Sequence, residues 1–303
     1  MHILIVRNNS NSKALDASLL LMSYLNSVGA STYMADSSDL GNSRRRAQIA
    51  QQLPEQLQLA FVLGGDGTVL HTVHLLEGRL CPILPINFGR MGFLTNDDED
   101  GIIPLAASAL AGELGEDRRA LLQLEVTCQD GGPEHYGAAQ ADDYGVNSEG
   151  LEGKTVFTAL NEASLTRGAM GRIIEISLAV NGIPVFKERG DGIILSTATG
   201  STAYALSSGG PLVSPRYSGL LAVPIAPHTL RARAIVTDPN DVLEVTARQT
   251  DEFRDIALFI DGELVLLPGP VQTVIASRAD QSVTLLRPRP DTFYQAIAQD
   301  FFA

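Results

Sequence analysis

Residues 57–76 read Leu57-Gln58-Leu59-Ala60-Phe61-Val62-Leu63-Gly64-Gly65-Asp66-Gly67-Thr68-Val69-Leu70-His71-Thr72-Val73-His74-Leu75-Leu76, and this stretch decides the fold class. Leu57 to Leu63 is an apolar run of strand length, Gly64 to Thr68 has turn chemistry, and Val69 to Leu76 has the spacing of a helix. Strand, glycine turn and helix in that order make the repeating unit of a parallel sheet, whose ligands sit at the carboxyl ends of the strands. Upstream, the apolar run His2 to Val6 stops at Asn8-Asn9-Ser10-Asn11-Ser12, and apolar residues then recur at helical spacing from Leu15 to Leu25. Downstream, Ile83 to Asn87 reads as the next strand. The first part of the chain is therefore expected to be an α/β domain with a parallel, doubly wound sheet.

Beyond about residue 120 the pattern changes. Leu122 to Thr127, Ile173 to Val180, Ile193 to Ser196, Val242 to Thr246, Ile256 to Ile260 and Val271 to Ala276 are short, often alternating and separated by turn residues, which predicts an all-β second domain. The expected division is an α/β domain over 1–118, an all-β domain over 119–290 and a C-terminal helix in 291–303 that packs back on the first domain. Asp130 to Gly153 is polar, glycine-rich and acidic and reads as a mobile insertion between strands. No internal repeat is visible.

The 303 residues are enough for two domains, and 45% hydrophobic with 19% charged residues is the composition of a globular protein. With 35 acidic and 22 basic side chains the net charge is −13, which repels nucleic acid and anionic membrane surfaces. A small anionic ligand is still accommodated where backbone N–H groups converge on it, because net charge is not site charge. Cys81 and Cys128 lie in apolar runs and read as small buried hydrophobes of a reducing compartment. The apolar run His2 to Val6 is too short for a signal peptide, and no window reaches the roughly 18 apolar residues of a membrane span. The expectation is a soluble, cytoplasmic protein.

Gly64 to Thr68 stands where a phosphate is held: glycines let the backbone approach phosphate oxygens, and the following helix start adds N–H donors. Asp66 is placed to take a proton from a substrate hydroxyl. The loop is not a dinucleotide fingerprint, because Leu70 stands where Gly or Ala is needed, and it lacks the lysine of a Walker loop. Asn161-Glu162 pairs an amide with a carboxylate, a combination that reads base edges and ribose hydroxyls. Arg189-Gly190-Asp191-Gly192 precedes Thr199-Gly200-Ser201-Thr202-Ala203-Tyr204, where hydroxyls and an aromatic ring suit a ribose and a flat base; the competing reading is a helix capped near Ser201 with Tyr204 in the core. Asp261-Gly262 between apolar runs reads as a hairpin turn, with support of a site as its alternative. His71 and His74 on one helix face beside Cys81 raise zinc only weakly, and Arg44-Arg45-Arg46 reads as a solvated helix face.

Taken together these segments resemble the NAD kinase family. Gly64 to Thr68 is similar to its GGDGT loop, Asn87 to Leu94 to its NxGxxGFL segment, and Asn161-Glu162 to its NE pair. Asp191-Gly192 with Thr199 to Pro211 is similar to the block TGSTAYxxSxGGP, and Pro227-His228-Thr229-Leu230 to PHTL. Ala198 stands where the family usually has proline, and Leu230 to Ala234 departs from LSNRP. GGDGT alone is shared with diacylglycerol-type lipid kinases; the NE and TGSTAY segments and the charge of −13 argue against that alternative.

The resemblance implies phosphoryl transfer from ATP or polyphosphate to the adenosine 2′-hydroxyl of NAD, with Asp66 as the catalytic base and Gly67 beside the phosphates. It implies that Asn161, Glu162 and Asp191 contact NAD, that Thr199, Thr202, Ala203, Tyr204 and Ser207 line the dinucleotide pocket, and that Phe88 packs near it. Arg172, Arg189 and His71 fall where the family has polar contacts. With no P-loop lysine, the donor's charge is expected to fall to a divalent cation, Mg²⁺, with loop N–H groups or an Arg beside it. Partners are expected to be small nucleotides and other copies of the chain, as a homodimer or homotetramer. A non-catalytic NAD(H) sensor is the remaining alternative of a different class.

Overall fold

A computed structural model of the chain describes residues 1–89, 92–97, 101–128, 155–168, 172–248, 256–267, 269–289 and 293–301. The proposed insertion at Asp130 to Gly153, and Arg90 and Met91 of the NxGxxGFL segment, lie outside the described residues. The chain divides into two compact units, Met1–Arg119 with Val283–Ala303, and Ala120–Ser282.

In the first unit, strands β1 (His2–Arg7), β2 (Ser31–Asp36), β3 (Leu59–Gly64) and β4 (Ile83–Asn87) are parallel in the order β2-β1-β3-β4. Helices α1 (Ser12–Ser27), α2 (Ser37–Leu40), α3 (Ser43–Gln52), α4 (Asp66–Leu75) and α5 (Ile102–Leu110) connect or flank them. Asn11 starts α1 by accepting hydrogen bonds from the N–H groups of Lys13 and Ala14 at 2.9 and 3.2 Å. Leu21 and Leu25 of α1 and Ile102 and Leu105 of α5 pack on Ile5, Phe61, Leu63, Leu84 and Ile86 of the sheet. The chain leaves β1 for β2 on one side and returns as β3 on the other. Order reverses there, and in open parallel sheets the crevice at that reversal receives ligands. Gly64, Gly65 and Asp66 stand at the carboxyl end of β3, beside it.

The second unit is built of β-strands, as the alternating sequence predicts. It holds β6 (Val156–Ala159), β7 (Glu162–Arg167), β8 (Ile174–Val180), β9 (Ile183–Gly190), β10 (Gly192–Ser196), β11 (Leu221–Ile225), β12 (Ile235–Val236), β13 (Leu243–Arg248), β14 (Ile256–Ile260) and β15 (Glu263–Leu264). Strands β5 (Gly115–Cys128) and β16 (Val271–Arg287) begin or end in the first unit. One set of pairings runs β12-β11-β10-β7-β14-β15, and another runs β16-β13-β8-β9. Ile174, Ile176 and Leu178 of β8 and Val245 of β13 share a core with Leu165, Ile193, Leu195 and Leu258. Ile194, pointing the other way from β10, packs with Ala205, Leu221 and Val223.

The sequence reading does not include β2, β7 or β12, and three further stretches show why strands escape the pattern. β9 has only its last residue buried, so no apolar alternation marks it. β11 contains Pro224, which speaks against a strand although the run is buried. β16 continues eleven residues past Ala276, through Asp280, Gln281 and Ser282, which are exposed on both faces and read as a turn. Val283–Ala303 group with the first unit, where Leu285 pairs with Ile83 and helix α7 (Phe293–Phe301) sets Phe293 and Phe301 against Phe93. The helix read from Ser201 is instead a 3₁₀ turn at Thr199–Thr202 followed by the four-residue helix α6 (Tyr204–Ser207). Among the described residues no helix is long and apolar enough to cross a membrane.

Candidate active site

Asp66 is the first residue of α4, where a carboxylate complements the helix dipole. Its side chain turns toward the segment after Gly92: Oδ2 accepts the N–H of Phe93 at 3.0 Å and Oδ1 that of Leu94 at 3.1 Å. A Cβ at position 92 would lie 2.2 Å from Oδ1, so only glycine lets the segment come this close. Burial raises the Asp66 carboxyl above its ordinary value, against the lowering pull of those two N–H donors and of the charges on Arg287 and Arg119. Gly65 and Gly67 differ from Gly92: among the described residues nothing lies within 4 Å of a Cβ built on either. Packing among the described residues does not demand them.

The other expected residues of the first unit sit nearby in the fold. The Phe88 N–H bonds the Gly64 carbonyl at 3.1 Å, its carbonyl accepts from the Asn11 amide, and its ring packs at the edge of the α/β core. His71 Nδ1 lies 3.2 Å from the Ser37 hydroxyl. Arg45 pairs with Asp39 at 2.6 Å and Arg46 donates to the Leu40 carbonyl.

In the second unit Asn161 and Glu162 are both buried at the start of β7, and Asp261 organises them. Asp261 Oδ2 accepts from Leu160 N–H at 2.8 Å, and Oδ1 from the N–H groups of Asn161 and Glu162 at 2.7 and 3.0 Å. On the carbonyl side, Thr197 Oγ1 donates to Leu160 O, and Ser196 Oγ and Thr197 N–H to Asn161 O. A Cβ on Gly200 would stand 2.3 Å from Asn161 O. The hydroxyl-rich block thus fixes the backbone beneath the Asn161 and Glu162 side chains. Glu162 is 8% exposed, and its Oε2 has no hydrogen-bond partner among the described residues. Burial, joined by the charge of Asp261, pushes its carboxyl up to about 7, against the N–H of Tyr204.

Tyr204 is 41% exposed, which excludes the reading that puts its ring in the core. Thr199 is buried, Thr202 and Ala203 are half-buried, and Ser207 is exposed on α6. The start of this block meets residues 160–162 through Ser196, Thr197 and Gly200, and the Tyr204 backbone N–H lowers the Glu162 carboxyl. Asp191 does not meet them. It pairs with Arg167 at 2.7 Å where Gly192 meets Thr166, whereas Glu162 meets Ser196 at the far end of β10. At about 3.3 Å per residue the two positions stand roughly 16 Å apart along the strand. Arg172 precedes β8, whose Ile174 meets Gly190, so Arg172 and Arg189 belong to the Asp191 end.

Asp261-Gly262 is the two-residue hairpin turn between β14 and β15, with φ of 47° and 83°. The hairpin reading holds, and the turn also presents the carboxylate to the backbone of residues 160–162. Sequence reasoning missed Arg287, Arg119 and Asp117. The available signal was Arg287 in phase with Leu285 on the buried face of β16. Cys81 is buried and its thiol is pushed up to about 12 by that burial, which suits a hydrophobe rather than a nucleophile. Among the described residues no three His, Cys, Asp or Glu side chains are grouped to hold a metal ion.

Residues 3–114 match the ATP-NAD kinase N-terminal domain and residues 160–287 the ATP-NAD kinase C-terminal domain. The NAD kinase of Nitrosomonas eutropha is 31% identical over 301 residues, covering 98% of this chain and 93% of the relative. The chain belongs to the NAD kinase family. The NAD kinase of Ralstonia nicotianae is 34% identical over 252 residues, 81% of this chain and 74% of the relative. Two solved structures share the NAD kinase fold. Yeast NADH kinase complexed with NADH superimposes with a TM-score of 0.79 at 19% identity, covering 99% of this chain and 86% of that one. An Archaeoglobus fulgidus NAD kinase in complex with ATP gives 0.70 at 20% identity, covering 99% and 98%. The NAD kinase domains bracket both clusters, the first containing Asp66 and the second opening at Leu160.

Proposed function

We propose that this chain transfers the terminal phosphoryl group of ATP to the adenosine 2′-hydroxyl of NAD, releasing ADP and NADP. Membership of the NAD kinase family supports the activity, and the setting of Asp66 carries the mechanism. A secondary hydroxyl is a weak nucleophile at neutral pH, so a base must take its proton as the new O–P bond forms and the bond to the ADP oxygen breaks. Asp66 suits that role: burial raises its basicity, and two N–H donors fix its orientation while each oxygen keeps a lone pair. The open space above Gly65 and Gly67 suits close approach of phosphate oxygens to the backbone at the start of α4.

Asn161, Glu162 and Tyr204 are assigned to the nucleoside, with Tyr204 as the exposed platform, and Thr199, Thr202, Ala203 and Ser207 frame them. Asp191, Arg172 and Arg189, remote along the strand, are assigned to a more distant part of the dinucleotide. The described residues do not group as a metal cage. The divalent cation belongs to the donor substrate as MgATP, the form in which Mg²⁺ binds with few protein ligands. Assembly as a homo-oligomer is proposed with the family and is read by sedimentation.

The test is formation of NADP from NAD and MgATP. Asp66→Asn is nearly isosteric and is expected to lower turnover at least about 10²-fold with folding intact. Turnover equal to that of the parent chain would remove Asp66 from the role of base.

A further inference from the structure

Arg287 makes five hydrogen bonds and touches no group assigned to substrate. It is 6% exposed at the end of β16. Nε donates to Asp117 at 3.1 Å, Nη1 to the carbonyls of Leu94 and Thr95 at 3.0 and 3.3 Å and to Asn96 Oδ1 at 3.0 Å, and Nη2 to the Phe93 carbonyl at 3.3 Å. Asp117 is itself clamped by Arg119, which is 4% exposed, at 2.9 and 2.7 Å.

The carbonyls that Arg287 grips belong to the segment whose N–H groups hold Asp66. The peptide between Phe93 and Leu94 takes part at both ends: its C=O accepts from Arg287 and its N–H donates to Asp66 Oδ1. A cation at the oxygen and an anion at the hydrogen polarise one peptide in the same sense, so each bond strengthens the other. Planar, forked donors reach several carbonyls at once, which an ammonium on a flexible stem cannot reproduce. The Phe93 ring, stacked on Phe301 at 6.3 Å and tilted against Phe293 at 6.2 Å, pins the same segment from its side chain.

We propose that Arg287 is a positioning residue for phosphoryl transfer, holding the 93–96 backbone so that the Phe93 and Leu94 N–H groups aim the Asp66 carboxylate at the acceptor hydroxyl. The inference rests on Asp66 being the base. It accounts for a buried guanidinium on a strand otherwise closed by apolar residues, and for the small residue required at Gly92, where the segment meets the carboxylate.

The test uses the full chain with three variants, Arg287→Lys, Arg287→Gln and Asp66→Asn, and measures kcat, KM for NAD and for MgATP, and the pH profile of kcat/KM. Arg287→Lys keeps the charge and loses the fork. It is expected to lower kcat about tenfold or more, with both KM values within threefold of the parent and the acid limb of the profile in place. Arg287→Gln also removes the positive charge, so the limb set by Asp66 is expected to move to higher pH. Arg119 and Asp117 are the other charged groups facing that carboxylate and its clamp, and they are common to all variants. Should Arg287→Gln fail to fold, Arg287→Lys decides alone. Parental kcat in folded Arg287→Lys overturns the proposal, as does a defect confined to a rise in KM. If Asp66→Asn is inactive while Arg287→Lys is normal, only this inference fails; if Asp66→Asn is fully active, the base assignment itself fails.

Discussion

Changing Asp261 to Asn separates the two duties of that residue, because Asn adopts the positive φ of the turn while the charge disappears. The carboxylate accepts three N–H groups, from Leu160, Asn161 and Glu162. An amide offers one oxygen, so one buried N–H loses its acceptor and the other two face a neutral one. Hydrogen bonds to charged groups contribute about 1.5–3 kcal/mol each, which makes a cost of about 2–4 kcal/mol reasonable. The charge has an opposite effect on Glu162. A carboxyl held at about 7 instead of its ordinary 4.5 disfavours its ion by about 3 kcal/mol, part of it owed to Asp261. Its native value lies above its unfolded one, so its contribution to stability is full below 4.5, declines as pH rises to about 7 and is then constant. Removing the Asp261 charge narrows that window. The variant is therefore expected to lose about 2–4 kcal/mol at pH 5 and measurably less at pH 8, as read by urea denaturation at the two pH values. Equal losses at both, or a Glu162 titration by carbon NMR that stays at the parental value, would refute the coupling.

Other outcomes follow from the same geometry. Tyr204→Ala is expected to change unfolding free energy by less than about 1 kcal/mol, since the ring is exposed, yet to weaken NAD binding by about 1–3 kcal/mol by calorimetry; unaltered affinity would take Tyr204 out of the nucleoside site. Gly200→Ala, whose methyl would meet Asn161 O, should cost about 2–3 kcal/mol in denaturation. Gly67→Ala should keep or slightly raise the melting temperature while increasing KM for MgATP, and an unchanged KM would mean that phosphate does not approach there. Chelation with EDTA is expected to abolish transfer without lowering the melting temperature, because the described residues form no metal cage; a marked drop would reveal a structural ion.

The parallel sheet and the position of Asp66 were legible because strands buried on both faces leave uninterrupted apolar runs and because glycine-rich turns punctuate them, as in β3 and α4. The Asn161 and Glu162 cluster was legible only as neighbours in sequence. That Asp261 and Ser196 to Gly200 secure it depends on pairings 35 to 101 residues apart, which no local pattern records. The exposed edge strand β9 and the exposed stretch of β16 carry no signal because neither buries a face. The role of Arg287 was hard to read for another reason: three of its five partners are backbone carbonyls, and a carbonyl has no letter in the sequence.

The grip of Arg287 on residues 93–95 also orders events during synthesis. The glycine turn and its acid leave the ribosome well before the guanidinium that steadies their neighbouring segment and before the aromatic rings of α7 that cover Phe93. A nascent chain that has not yet reached Arg287 can therefore assemble the parallel sheet while its Asp66 carboxylate still lacks the clamp proposed to aim it.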